Sequence, residues 1–304
     1  MSYELRPLTL AEILDAAFRL VQTEWRTLVG LSMIMQIPLI ALGSWAEWLF
    51  DPLADPVAPG EEVMPEALVE MGVILGAVGP VYLVLYPFIA AAVTASVGNF
   101  YLGRRFELGD ALRVGLRSVL RLVASYLVYG LAFFGAMLVI GGAIAMAGML
   151  VSAAFGGLLD AMGSLGIGLG VVVVVVVGGF VLFWFLFLGA VASLLPPVAV
   201  LESEGIVGTV SRAYGLGGTA KWRVIGVVFA AGMIVGFPVF GAQMMIGFVP
   251  VLGILVWAVF QAIGFAFTTS VAVVLYFDLR CRAESYDLEL LAQQVEAGPG
   301  LGHG

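Results

Sequence analysis

Few residues in this chain could do chemistry, and their spacing limits what that chemistry could be. The one histidine, His303, sits in a Gly-rich tail, and Cys281 is the one cysteine. Histidine-based catalysis, a His-ligated metal and an intrachain disulfide are all disfavoured. Glu202 and Glu204 lie two apart near Arg212, a spacing read as a cap and a salt bridge rather than an acid–base pair. The stretch from Gly215 to Lys221 is glycine-rich, but its Lys spacing is not that of a phosphate-binding P-loop, and no Ser or Thr follows the Lys. The acidic stretch DPLADPVAPGEE does not fit the spacing of a calcium loop. It reads as a solvated loop, with a cation-attracting vestibule as the sharper alternative. Gln36, Gln243, Gln261, Thr94, Thr268 and Thr269 stand inside apolar stretches, where interhelical hydrogen bonds of about 1 kcal/mol each account for such residues.

Arg113, Arg117 and Arg121 recur every four residues, beside Leu108, Leu112, Leu116 and Leu120. A helix with that pattern suits anionic headgroups, at about 1 kcal/mol per basic residue. The alternative is ordinary topology-setting charge. Arg104, Arg105, Arg212, Lys221 and Arg223 complete the set of candidate lipid contacts. No catalytic, cofactor-binding or metal-ligating set emerges. The expectation is a protein that is not an enzyme and carries no cofactor.

The elements that position these residues follow from composition. Of 304 residues, 62% are hydrophobic and only 11% charged, far below the roughly 25% charged residues of soluble domains. The bilayer is the solvent that suits such a chain. Six apolar spans are predicted near 27–50, 73–101, 122–154, 168–201, 224–248 and 252–277, each long enough for a bilayer that about 20 apolar residues cross. Short amphipathic helices are expected near 9–25, 107–121 and 204–216, the first opened by a capping box at Thr9 and Glu12. The predicted fold is an all-α polytopic bundle of six transmembrane helices. They form three hairpins, each preceded by an interfacial helix, with packing under the bundle as the alternative for the first. Residues 1–280 make one membrane domain and 281–304 a tail.

All 13 Lys and Arg fall before span one, between spans two and three, between four and five, or after six. The positive-inside rule then puts both termini in the cytoplasm of a cell that carries the protein in its inner or plasma membrane. Glu47, Asp51, Asp55, Glu61, Glu62, Glu66, Glu70 and Asp160 fall outside, so the net charge of −8 sits there. No basic surface suited to nucleic acid emerges. Arg19, Arg117 and Arg212 mark a repeat of nearly constant period. Phe100-Tyr101 with Arg104 rhymes with Tyr276-Phe277 with Arg280 at the ends of return spans. Small residues recur four apart at Gly232 and Gly236, at Ala258, Ala262 and Ala266, and at Ala90, Thr94 and Gly98. They are expected to let helices pack closely within one chain, with a second copy as the alternative partner.

Three stretches carry a family resemblance: ELRPLTLAEILDAAFRL, VLESEGIVGTVSRAYGL followed by KWRVIG, and LYFDLRCRAESYDLELL. Together they resemble the membrane-domain family of glycerophosphoryl diester phosphodiesterases. The resemblance covers nearly the whole chain, but the motifs are short. It implies the membrane module alone, because the catalytic barrel of fused members needs a histidine motif and metal-binding acids that this chain lacks. The favoured function is a non-enzymatic module that scaffolds or senses lipid, partnered by membrane lipids, anionic ones included. The alternative is a transporter or channel with Pro-kinked helices around a polar path.

Overall fold

The structure, a computed structural model, describes residues 6–50, 72, 76, 78–161, 164–202, 204–246 and 248–285. The acidic loop from 51 to 70, His303 and the tail from 286 lie outside the described residues. Among the described residues the chain is helical, with no strand: α1 Leu10–Thr23, α2 Trp25–Phe50, α3 Gly79–Tyr101, α4 Leu108–Ala161, α5 Ser164–Ala192, α6 Ile206–Thr219, α7 Lys221–Ile246 and α8 Pro250–Glu284. Among the described residues, six helices are long and apolar enough to cross a membrane. The protein is an integral, multi-pass membrane protein.

α1 forms where the sequence places its start. The Thr9 hydroxyl accepts from the Glu12 amide at 3.3 Å, and the Glu12 carboxylate accepts from the Thr9 amide at 2.6 Å. Ile13, Ala17, Leu20 and Val21 are buried, while Phe18 and Arg19 face out. α6 is a separate short helix that buries Thr209, Ala213 and Leu216. The expected helix over 107–121 is not separate: it forms the opening turns of α4, one helix of 54 residues. Nothing between Arg121 and Leu122 breaks a helix, and neither proline nor a capping residue interrupts the join. At about 1.5 Å per residue α4 runs to roughly 80 Å, well beyond a hydrocarbon layer of about 30 Å.

The core lies along α8 and α3. Val271 to Leu279 is buried without interruption, as is Ile89 to Gly98 on α3. α4 and α5 turn long exposed apolar faces outward, including Leu131, Leu138, Val175 and Val176, as lipid-facing helices do. The rhyming ends of the return spans meet, with the Tyr101 and Phe277 rings stacked at 5.3 Å between centroids. The small-residue expectation holds in part. Ala258, Ala262, Ala266, Ala90, Thr94 and Gly98 are buried. Gly232 and Gly236 are not packed against any described residue: both are exposed, and a Cβ on either would meet nothing within 4 Å. The close approach of α7 and α8 falls instead at Gly264, against Val235, and at Gly253, where a Cβ would stand 2.6 Å from backbone atoms of Ile246. Each of these glycines is a lone small residue facing its neighbour, so no GxxxG spacing announces it.

Candidate functional site

Two carboxylates organise the end of the bundle where the basic residues gather. Asp278, near the close of α8, has a side chain with 0% exposure. It accepts from the Leu8 amide at 2.7 Å, from Arg223 Nε at 2.7 Å and from Arg282 Nε at 3.1 Å. The Leu8 carbonyl in turn accepts from Arg282 at 2.8 Å and from Arg223. The capping box of α1 fixes the chain at Thr9, and Asp278 grips the residue before it. Four segments are tied together in this way: the chain start, α7, α8 and, through the cap, α1.

Glu202 builds the second network. Pro196 and Pro197 end the run of α5 in a short helical turn, Leu195–Pro197, and a π-helical turn over Val198–Glu202 follows. That turn delivers Glu202 to Arg212 Nε at 2.8 Å and to the Tyr276 hydroxyl at 2.7 Å. Glu284 closes the ring by pairing with Arg212 and with Arg280, the latter at 3.0 Å. The Glu202 carboxylate holds the Arg212 guanidinium above its usual range. Glu204 lies against Gly208 in the first turn of α6, where a carboxylate favours the helix N-terminus. These ion pairs also explain why α8 runs two turns past the predicted end of span six, to Glu284. Among the described residues no three His, Cys, Asp or Glu side chains gather where a metal ion could sit.

The candidate lipid contacts divide into two groups. The guanidiniums of Arg212 and Arg223 are held inside the networks. Lys221 lies over the Trp184 ring at 5.3 Å and over Phe187 at 5.6 Å. Arg104, Arg105, Arg113 and Arg117 stand exposed. Of these, Arg113 approaches a carboxylate, Asp110, at 3.8 Å. Arg121 is half-buried and its Nε has no hydrogen-bond partner among the described residues. Leu116 and Leu120, 70% and 80% exposed, emerge on the same stretch of helix as Arg113 and Arg117.

A polar cavity of about 310 Å³ lies within the spans, between α2, α3, α7 and α8. Gln36, Gln261, Tyr82, Tyr86, Trp257 and Thr268 contribute to its walls. Gln36 is only 5% exposed, and its amide opens onto this cavity. Two of the three glutamines singled out in the sequence meet here. Gln243 does not, because it points outward from α7. The aromatic wall has no signature in the sequence, since Tyr82 and Tyr86 on α3 meet Phe265 on α8, far away in sequence. Tyr82 stacks on Tyr86 at 5.3 Å, and Tyr86 meets Phe265 edge-on at 5.5 Å. No family profile, characterised protein or solved structure matches the chain.

Proposed function

We propose that this protein is a non-enzymatic membrane module that holds and senses anionic lipid at its basic face. One observation carries the reading. The opening turns of α4 present exposed arginines and exposed leucines side by side, Arg113 and Arg117 with Leu116 and Leu120. Bare leucines need hydrocarbon and bare guanidiniums need anions, and the headgroup layer of a bilayer supplies both. With both termini in the cytoplasm of an inner or plasma membrane, this face meets the leaflet richer in anionic lipid. The stretches that resemble the phosphodiesterase membrane domain fit a structural role in that module. Leu8, Glu202, Arg212, Arg223, Asp278 and Arg282, which lie in them, build the two ion networks.

The test is lipid retention. The triple variant Arg113→Gln, Arg117→Gln, Arg121→Gln, inserted and folded, should keep fewer anionic lipids in native mass spectrometry than the parent. Equal retention sinks the lipid role. The purified parent protein should release no glycerol 3-phosphate from glycerophosphodiesters with magnesium, calcium or manganese. Metal-dependent turnover that disappears in Glu202→Gln, Glu204→Gln would replace the module with an enzyme. The transporter reading draws on Gln36 and Gln261 sharing a cavity, but it needs a path across the membrane, and Gln243 stands apart from any such path.

A further inference from the structure

We propose that the cavity between α2, α3, α7 and α8 is a binding site for an uncharged glyceryl-type group. That group bears hydroxyls or esters and comes from a neutral lipid such as a diacylglycerol or from a small soluble polyol. The site is separate from the α4 arginines, and its test leaves them intact.

The first argument is the Gln36 amide. The residue is nineteen-twentieths buried and lines the cavity, to which its amide keeps access. A polar group at this depth is hydrogen-bonded almost without exception, and hydrocarbon around the bundle offers it nothing. Its partner therefore enters the cavity from outside the chain. Gln261 is half-buried on the facing wall and has no partner among the described residues, and neither has the Tyr82 hydroxyl at the exposed rim.

The second argument is what the walls lack. Among the described residues, no Asp, Glu, Lys, Arg or His lines the cavity. A phosphate, carboxylate or ammonium would lose its hydration and find no countercharge, in a medium where unpaired charge is strongly disfavoured. Two amides and a phenol offer both donors and acceptors, which is what a mixture of hydroxyl and ester oxygens needs. Trp257, Tyr86 and Phe265 supply flat apolar walls for the carbon skeleton, the usual make-up of a small-molecule site.

The third argument is depth. Gln36 lies 11 residues along α2 from Trp25, and Gln261 lies 11 along α8 from Pro250. At 1.5 Å per residue each is about 16 Å from its helix end, near the middle of a hydrocarbon layer of about 30 Å. At that level an uncharged group is favoured over a charged one.

The experiment uses the full chain in phosphatidylcholine vesicles with a photoreactive diacylglycerol, read by peptide mass spectrometry. Labelling should fall on peptides carrying Gln36, Tyr82 or Trp257. Dioleoylglycerol should displace the label, and dioleoyl phosphatidic acid, with the same chains and a charged head, should not. Gln36→Leu and, separately, Gln261→Leu should each weaken displacement about tenfold, as loss of one good hydrogen bond does, with unchanged melting. Should Gln36→Leu fail to fold, the half-buried Gln261→Leu carries the comparison. Displacement by glycerol rather than by dioleoylglycerol would assign the site to a polyol, with the same chemistry. Equal displacement by phosphatidic acid would overturn the proposal. So would variants that label as the parent does, or label confined to the outer faces of α4 and α5.

Discussion

Asp278→Asn should be among the most damaging single-atom changes in this protein. The substitution keeps the size of the side chain, removes its charge and turns one acceptor oxygen into a donor. That oxygen faces either the Leu8 amide and Arg282 or Arg223 and Arg282, at 2.7 to 3.2 Å. The magnitude follows from exposure. Asp278 is fully buried and Arg223 is 22% exposed, so that pair belongs with buried ion pairs, where removing one partner costs about 3–5 kcal/mol. Arg282 is 40% exposed, so its share is screened to below about 1 kcal/mol. The Arg223 guanidinium keeps some access to water, which trims the first figure. The expected loss is about 3 kcal/mol, roughly a hundredfold in the folded-to-unfolded ratio. Reversible unfolding in mixed micelles with increasing dodecyl sulfate, followed by circular dichroism, reads it directly. Arg19→Gln is the control, because the Arg19–Asp15 pair is 67% and 57% exposed and should move stability by no more than about 0.5 kcal/mol. Combining Asp278→Asn with Arg223→Gln should cost less than the sum of the two singles, since both remove the same contact. If Asp278→Asn falls in the band of the Arg19 control, the two-network account of this end of the bundle is wrong.

Two further outcomes are expected. Gly253→Ala places a Cβ 2.6 Å from Ile246 backbone atoms that cannot swing aside, and should destabilise the α7–α8 pair by about 1–3 kcal/mol; Gly232→Ala and Gly236→Ala, with open space around them, should be neutral in the same unfolding assay. The Thr9 amide and the Arg6 guanidinium hold the Glu12 carboxyl down at about 2, from an ordinary 4.5; a depressed carboxyl stabilises the fold above the unfolded value, so protection of α1 amides from hydrogen exchange should be full above about pH 4.5, fade as pH falls towards 2, and show no such fade in Glu12→Gln.

Much of this molecule is legible in its residues, for physical reasons that differ by element. Hydropathy announces spans because the bilayer acts on each residue almost independently of the fold. The capping box of α1 is legible because its parts are three residues apart. Partner choice in the ion networks is not, because Leu8 and Asp278 are 270 residues apart and nothing local says which carboxylate meets which guanidinium. Arg212 and Arg223 look like lipid-facing charges in the sequence for the same reason. The fusion of the 107–121 segment into α4 was missed because an amphipathic turn and an apolar span differ in hydropathy but not in backbone. Gly232 and Gly236 show a similar limit. Spacing identifies a surface that can pack closely, and only the neighbouring helix decides whether it does.

The grip of Asp278 on Leu8 also sets an order in time. A ribosome adding roughly 5–20 residues per second makes Asp278 between about 15 and 50 s after Leu8. For that interval the newly made α1 has no α8 to dock against, and Glu202 and Arg212 wait without Tyr276 and Glu284. Earlier helices must therefore enter the bilayer and hold their places before the contacts that lock them exist. A nascent chain stalled before α8 should carry an undocked first helix, more accessible to proteases than in the finished protein.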